Sequence, residues 1–251
     1  MATTKLYHPL VFRIRALTNL HPGGGDSFYG AVDKLVQRDP ATNYPTIHGH
    51  SLKGALREYF ESQLSMDEKH PFIVHVFGSP VKGKPEEAEP GQYRFFGADL
   101  LALPVPDDDP NSLAAYHLET DDAVWVAFFK KLQLLGSTFN SAAELKAAFQ
   151  SGLPTNFKTN VKFKEAAEEL PVVARNQLDN GESQNLWYEE LVPHESIFGF
   201  VVQVDENAAN RVAFLAGTNT KVIQIGANAS VGYGFCLLTL IDLPSNPSAQ
   251  S

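Results

Sequence analysis

Residues 20–57 read LHPGGGDSFYGAVDKLVQRDPATNYPTIHGHSLKGALR, and this stretch decides how the rest of the chain is understood. It holds three consecutive glycines at 23–25, an Asp33 set in the run Ala31-Val32-Asp33-Lys34-Leu35, and a helix start at Ser51. Glycines leave backbone N–H groups open to an anion, and a helix opening at Ser51 presents the positive end of its dipole. Lys53 and Arg57 stand four apart and share one helical face. Together these features describe a phosphate-binding surface with a carboxylate beside it. The arrangement suggests a protein that holds a nucleic-acid backbone and cuts a strand lying across it.

Working outward, residues 9–19 (PLVFRIRALTN) alternate apolar and polar positions and predict a strand before the glycines. Ser51 caps a helix predicted to about Leu64, with Leu52, Leu56 and Tyr59 or Phe60 at helical spacing. Residues 72–77 (FIVHVF) read as a short strand, 79–92 as a loop, 94–105 as one main strand and 107–110 as a turn. Helical composition marks 121–135 and 141–150, whereas 151–194 is polar and irregular, with a hairpin turn at Asn180 and Gly181. A strand at 198–204, a helix at 207–217 and a glycine-interrupted strand pair at 221–241 follow; 242–251 reads as a disordered tail. The repeated β, α, β order predicts one α+β domain over 1–241, with an antiparallel sheet of ferredoxin-like type and helical and hairpin insertions.

The chain has 251 residues, 43% of them hydrophobic, and a net charge of −9. That charge opposes indiscriminate nucleic-acid binding, but it is unevenly spread: residues 1–60 carry +3 and the remainder −12. No window approaches the roughly 18 apolar residues of a membrane span, and the first ten residues lack a signal peptide's apolar core. A single cysteine, Cys236, excludes internal disulfides and cysteine-based metal clusters. A cytoplasmic protein is the expectation.

A second glycine cluster occupies 224–235 (QIGANASVGYGF). Gly226, Gly232 and Gly234 permit close approach to a phosphate, with Asn228 or Ser230 as donors and Lys221 nearby. The same glycines also suit a tight hairpin between closing strands. For Asp33, the competing reading is a solvated carboxylate paired with Lys34 or Arg38. His48 and His50 suggest a metal pair, yet no third ligand has suitable spacing. His75 in its apolar run, Cys236 and the aromatics Trp125, Phe128 and Phe129 read as core, and Asp99 as a structural hydrogen-bonding group.

Four ordered motifs carry a family resemblance: LHPGGGD, VDKLVQRDP, PTIHGHSLKGALR and GANASVGYG. They resemble the RAMP superfamily of CRISPR proteins. RFFGADLLALPV and LWYEELVPHESIF resemble, more narrowly, the repeated backbone subunit of type III-B effector complexes; the type III-A counterpart matches the middle less well. The resemblance implies a ferredoxin-like (RRM-like) palm with a protruding thumb hairpin at about 171–190. It implies copies stacked into a helical filament on guide RNA, partnered by target RNA and other subunits of the complex, with no membrane. It also implies an endoribonuclease in which 2′-OH attack leaves a 2′,3′-cyclic phosphate, with Mg²⁺ or another divalent cation as cofactor. The family's cleaving aspartate falls on Asp33, which is also the metal-ligand candidate that the resemblance implies. Candidate RNA contacts are His21, Arg38, His50, Ser51, Lys53 and Arg57, then Lys221, Gly226, Asn228, Gly232, Tyr233 and Gly234. Thumb candidates are Arg175, Asn176 and Asn180, while Trp187 and Tyr188 suit the thumb base or a neighbouring subunit. His50 replaces a small residue, Ala227 a glycine and Tyr233 a common basic residue of the family. Two rival readings are a guide-RNA scaffold that does not cut and a metal-independent, histidine-based guide-processing ribonuclease using His21, His48 and His50.

Overall fold

The computed structural model describes residues 6–24, 32–79, 89–107, 111–155, 157–160, 162–180 and 182–241. Most of the expected loop at 79–92, most of the turn at 107–110, Gly181 and the tail at 242–251 therefore lie outside the described residues.

The first strand, β1 (His8–Ala16), sends Phe12 and Ile14 to one face and Val11 and Arg13 to the other. After an arm containing β2 (Thr46–Ile47), helix α1 (Gly49–Ser62) buries Leu52, Leu56 and Phe60, the i, i+4, i+8 positions of one stripe. The run FIVHVF forms a helix, α2 (Pro71–Phe77), and not the expected strand. Its buried positions are 72, 73, 76 and 77, a helical pattern; Pro71 opens it, and the His70 ring accepts the Phe72 N–H. The β-branched content suggested a strand, but tertiary burial of a four-residue repeat decides for helix.

The expected strand over 94–105 is two, β3 (Arg94–Phe95) and β4 (Ala98–Pro106). The break at Phe96 and Gly97 precedes the point where β2 pairs with β4 through Ile47 and Ala98. Strand β5 (Tyr116–Thr120) leads to helices α3 (Asp122–Leu134) and α4 (Ala142–Gln150), capped by Asp121 and Ser141. The irregular stretch expected after 150 contains a short strand, β6 (Phe157–Thr159), and a helix, α5 (Lys162–Glu168). A two-stranded hairpin of β7 (Val172–Asp179) and β8 (Glu182–Glu190) turns at Asn180, whose φ of 49° suits that turn. Then come β9 (Ile197–Val204), α6 (Ala208–Thr218), β10 (Lys221–Gln224) and β11 (Phe235–Leu240).

The main sheet runs β10-β11-β1-β9-β4-β5-β6, with β2 and β3 pairing beside β4 and β9. Its centre, β11-β1-β9-β4, is antiparallel throughout. With α1 after β1 and α6 after β9, the chain follows β-α-β-β-α-β, its fourth strand lying beside the first. Helices α1, α2 and α6 cover one face, where the Phe60 and Phe214 rings stack at 6.0 Å. The inserted helices α3 and α4 cover the other with Trp125, Phe128, Leu132, Leu145 and Phe149. Arg13 points into that second layer and donates to the carbonyls of Phe149 and Ser151 at the end of α4. Burial, and then the Arg15 charge, lower its pKa, while the negative end of the helix holds the cation. Among the described residues no helix is long and apolar enough to cross a membrane.

Gly199, in the middle of β9, fixes how closely α3 approaches. A Cβ there would lie 2.6 Å from the Phe128 ring and 2.7 Å from Leu101. Gly199→Ala is expected to destabilise the fold by about 1–3 kcal/mol through overpacking. The measurement is a denaturant midpoint at unchanged slope, and an unmoved midpoint would show that α3 yields at no cost.

Candidate nucleic-acid interface

The foot of the hairpin organises the site. Leu20 and Val192 exchange two backbone hydrogen bonds of 2.9 Å, anchoring the chain after β8 to the chain after β1. Beside them, the N–H groups of Asp33 and Lys34 both donate to the Tyr188 carbonyl, at 3.0 and 3.1 Å. The Tyr188 N–H returns a 2.7 Å bond to the Asp33 carboxylate, and the Glu190 N–H donates to the Lys34 carbonyl at 2.9 Å. Asp33 is thus exposed yet gripped by β8 at both backbone and side chain. Its other carboxylate oxygen accepts no hydrogen bond among the described residues.

Two adjacent buried carboxylates take up the neighbouring cations. Glu189, 1% exposed, accepts from Lys34 (3.0 Å) and Trp187 (2.8 Å) on one oxygen. Its second oxygen accepts from Arg175 (3.2 Å) and Asn228 (3.0 Å). Burial alone would raise this carboxyl, but the Trp187 and Lys34 hydrogen bonds and the Lys34 charge outweigh it and hold the pKa at about 2. Glu190 accepts from the Val36 N–H at 3.1 Å and pairs with Arg38. The two cations that a merely solvated Asp33 could have paired with are therefore bound elsewhere.

The second part of the site is the start of α1. His48, its N-cap, makes no side-chain cap bond, and the first turn carries no acidic residue. Such an end leaves backbone donors and a positive dipole for an anion. Gly49 is required there, because a Cβ would come within 2.4 Å of the Phe95 carbonyl. Buried Gln37 ties this end to the first glycine loop. Its amide donates to the Gly23 carbonyl and to Ser51 Oγ, both at 3.0 Å, and accepts the His48 N–H at 2.6 Å. Lys53 has no acceptor or ionic partner among the described residues, and burial, then the Arg57 charge, lower its pKa. A half-buried cation without a counter-ion, one turn into an uncapped helix, is prepared for an anion.

The third part is the second glycine loop. Gly226 lies directly on the His21 carbonyl, which a Cβ would approach to 2.6 Å, and Ala227 donates to that carbonyl at 3.0 Å. Gly234 is equally tight, 2.1 Å from the Ile225 carbonyl by the same measure. Both glycines are thus needed for packing, as in the tight-hairpin reading, while Gly232 faces open space. Asn228, left-handed at φ 65°, reaches Glu189, and the Tyr233 ring lies 4.6 Å from the Arg175 guanidinium.

Several expected contacts are placed differently. His21 is 3% exposed, and its Nδ1 lies 2.7 Å from the Glu190 carbonyl, so it supports the surface from beneath and does not form it. Arg38 is committed to protein, donating to the carbonyls of Asn43, Ala167 and Glu168 besides its Glu190 pair. Arg57 pairs with Glu61 at 2.8 Å and donates to the Gly78 carbonyl at 3.2 Å. Lys221 begins β10, whose far end joins the glycine loop, about 10 Å away at strand rise. His50 is exposed, its ring 5.4 Å from that of His48. Among the described residues no three His, Cys, Asp or Glu side chains gather as a metal site. Arg175 sits at the hairpin's foot, whereas Asn176 accepts from Ser183 farther up, below the turn at Asn180. His75 lies on α2, 2.9 Å from Asp205, and Asp99 pairs with Lys131 at 2.9 Å. Sequence reasoning missed Gln37, Glu189 and Glu190. The only signal was two consecutive carboxylates ending an aromatic strand in LWYEE.

The sequence and the fold have known counterparts. The chain is 26% identical over 284 aligned positions to the CRISPR system Cmr endoribonuclease Cmr4 of Pyrococcus furiosus, covering 92% of this chain and 95% of that protein. Its fold matches a chain of the type III-B Cmr-beta complex solved by cryo-EM with cognate target RNA. The TM-score there is 0.71 at 22% identity, over 93% of this chain and 97% of that one. It also matches the crystal structure of oligomeric Cmr4 from Pyrococcus furiosus, with a TM-score of 0.68 at 21% identity over 94% and 98%. The family model of the RAMP superfamily spans residues 13–237, and the chain belongs to that superfamily.

Proposed function

We propose that this protein is the backbone subunit of a type III-B RNA-guided complex and that it cuts target RNA at Asp33. The observation that carries this reading is the placement of Asp33, an exposed carboxylate clamped by Tyr188 to the foot of a hairpin, on a segment whose Leu35 and Gln37 bond the first glycine loop and the uncapped start of α1. The full-length relative is named a Cmr endoribonuclease, and the similar complex was solved with target RNA bound. The oligomeric relative supports assembly of several copies.

RNA brings its own nucleophile. The ribose 2′-oxygen attacks the adjacent phosphorus, the bond to the 5′-oxygen breaks, and the products are a 2′,3′-cyclic phosphate and a 5′-hydroxyl. The 2′-proton passes to a base, and the departing oxygen takes one from solvent. Asp33, with one oxygen fixed by the Tyr188 N–H and the other open, can accept that proton without reorganising. The same open oxygen fits a Mg²⁺ ion, which commonly takes one or two carboxylates and fills its remaining positions with water and phosphate oxygens. When bound, that ion would neutralise charge developing on the phosphorane. The helix start and Lys53 hold a guide phosphate without reading its base, leaving sequence choice to base pairing.

Asp33→Ala in the assembled, guide-loaded complex is expected to slow cleavage of a complementary RNA by about 10²–10⁴-fold while target binding persists. EDTA should stop the wild type. Cutting that survives Asp33→Ala would assign the chemistry elsewhere, and a wild type that binds without cutting would make the chain a scaffold. Lys53→Ala is expected to weaken guide binding equally across sequences and to make the salt dependence of log K shallower by about 0.7. Filter binding over a salt series measures both.

A further inference from the structure

Resting on the reading just given, we propose that Glu189 is a positioning residue for the cut: it holds Lys34, and with it Asp33, in register with the hairpin and the second glycine loop. Four donors from four stretches of chain converge on this one carboxylate: Lys34 beside Asp33, Arg175 on β7, Trp187 on β8 and Asn228 in the glycine loop. Each oxygen takes two of them, so the carboxylate has no acceptor capacity left for a ligand. At 1% exposure it is enclosed by protein, with no surface left for a strand lying over it. Its influence on the reaction must pass through the groups it holds.

Those groups surround the reacting position. Lys34 follows Asp33 in sequence, and its ammonium lies 4.8 Å from the centre of the Trp187 ring, pinned between that ring and Glu189. Tyr188, whose backbone brackets Asp33, is the residue before Glu189. Arg175 reaches from the same carboxylate to the Tyr233 ring, and Asn228 brings the left-handed corner of the glycine loop against it. Glu189 is thus the joint at which a loop suited to guide phosphate, the hairpin and the cleaving loop are set relative to one another. An amide in its place would keep the size and lose the fit, because one end of glutamine donates and would face two donors.

The test uses the assembled complex with guide RNA and a complementary target. Single-turnover cleavage and target affinity are measured for wild type, Glu189→Gln, Lys34→Met and the double variant, with Asp33→Ala alongside. Lys34→Met changes a half-exposed side chain, keeps its stem over Trp187, and so guards against a folding defect in the buried variant. Each single variant is expected to cut about 10- to 100-fold more slowly, the loss typical of a catalytic group misplaced by an ångström or less, with target Kd within about 2-fold. The double variant should be no slower than the slower single, since both changes undo one contact. A wild-type rate in either single variant overturns the inference. Losses that multiply in the double variant, or assembly and target affinity falling together with cleavage, overturn it as well. If Asp33→Ala cuts at the wild-type rate, the assignment of Asp33 fails and takes this inference with it. Loss of cutting in Asp33→Ala beside normal cutting in Glu189→Gln overturns the inference alone.

Discussion

Two neighbouring carboxylates, Glu189 and Glu190, are buried at 1% and 6% exposure at the end of β8. A buried charge left unpaired costs about 3–5 kcal/mol, so both must be matched with cations and N–H donors. The matching dictates the site. Lys34 and Arg175 go to Glu189; Arg38 and the Val36 N–H go to Glu190. Because Lys34 and Val36 belong to the segment that carries Asp33, satisfying the two carboxylates also draws that segment onto the hairpin. Among the described residues the hairpin has no sheet partner in the main body, and this pairing replaces one. The placement of Asp33 is therefore a consequence of charge burial some 155 residues away in sequence.

The main sheet explains why the interface sits on loops. A bare β-α-β-β-α-β unit packs helices on one face and leaves the other free. Here α3 and α4 fill that face with Trp125, Phe128 and Phe149, and Arg13 turns inward to hold the end of α4 instead of meeting a phosphate. With both faces covered, donors for a ligand remain at element ends, at the uncapped start of α1 and in the loop between β10 and β11. Gln37 and Asn228 brace those ends from behind.

Much of this was legible in the sequence where local signals and burial agree. Alternation in PLVFRIRA, the i, i+4 stripe of α1, the helical composition of α3 and α4 and the Asn180 turn each reflect a short-range rule. FIVHVF misled because β-branched residues favour strands, while the burial of 72, 73, 76 and 77 demanded a helix. At the site, glycines and Asp33 stood out by type and spacing. The cations did not sort by type. Arg38, Arg57 and Lys53 look alike on paper, and only long-range geometry shows that the first two have protein acceptors and the third has none among the described residues. Glu189 and Glu190 were invisible as a hub because nothing local reveals that a terminal pair of glutamates is buried.

That sorting of cations bears on how a chain of net charge −9 would hold RNA on the proposed function. Of the lysines and arginines first considered as contacts, Lys53 and Lys221 alone have no carboxylate or carbonyl acceptor among the described residues, and Lys221 lies away from the glycine loop. One unpaired lysine and a helix dipole make a weak site for a single chain, each phosphate contact contributing modestly and falling with salt. Weakness suits repetition. When several copies line one guide, each further site engages a strand already held nearby, and the effective concentration multiplies small affinities into a stable assembly. On the proposed function, an isolated chain would gain little from free RNA, and Asp33 would meet a target only where guide and neighbouring copies align it.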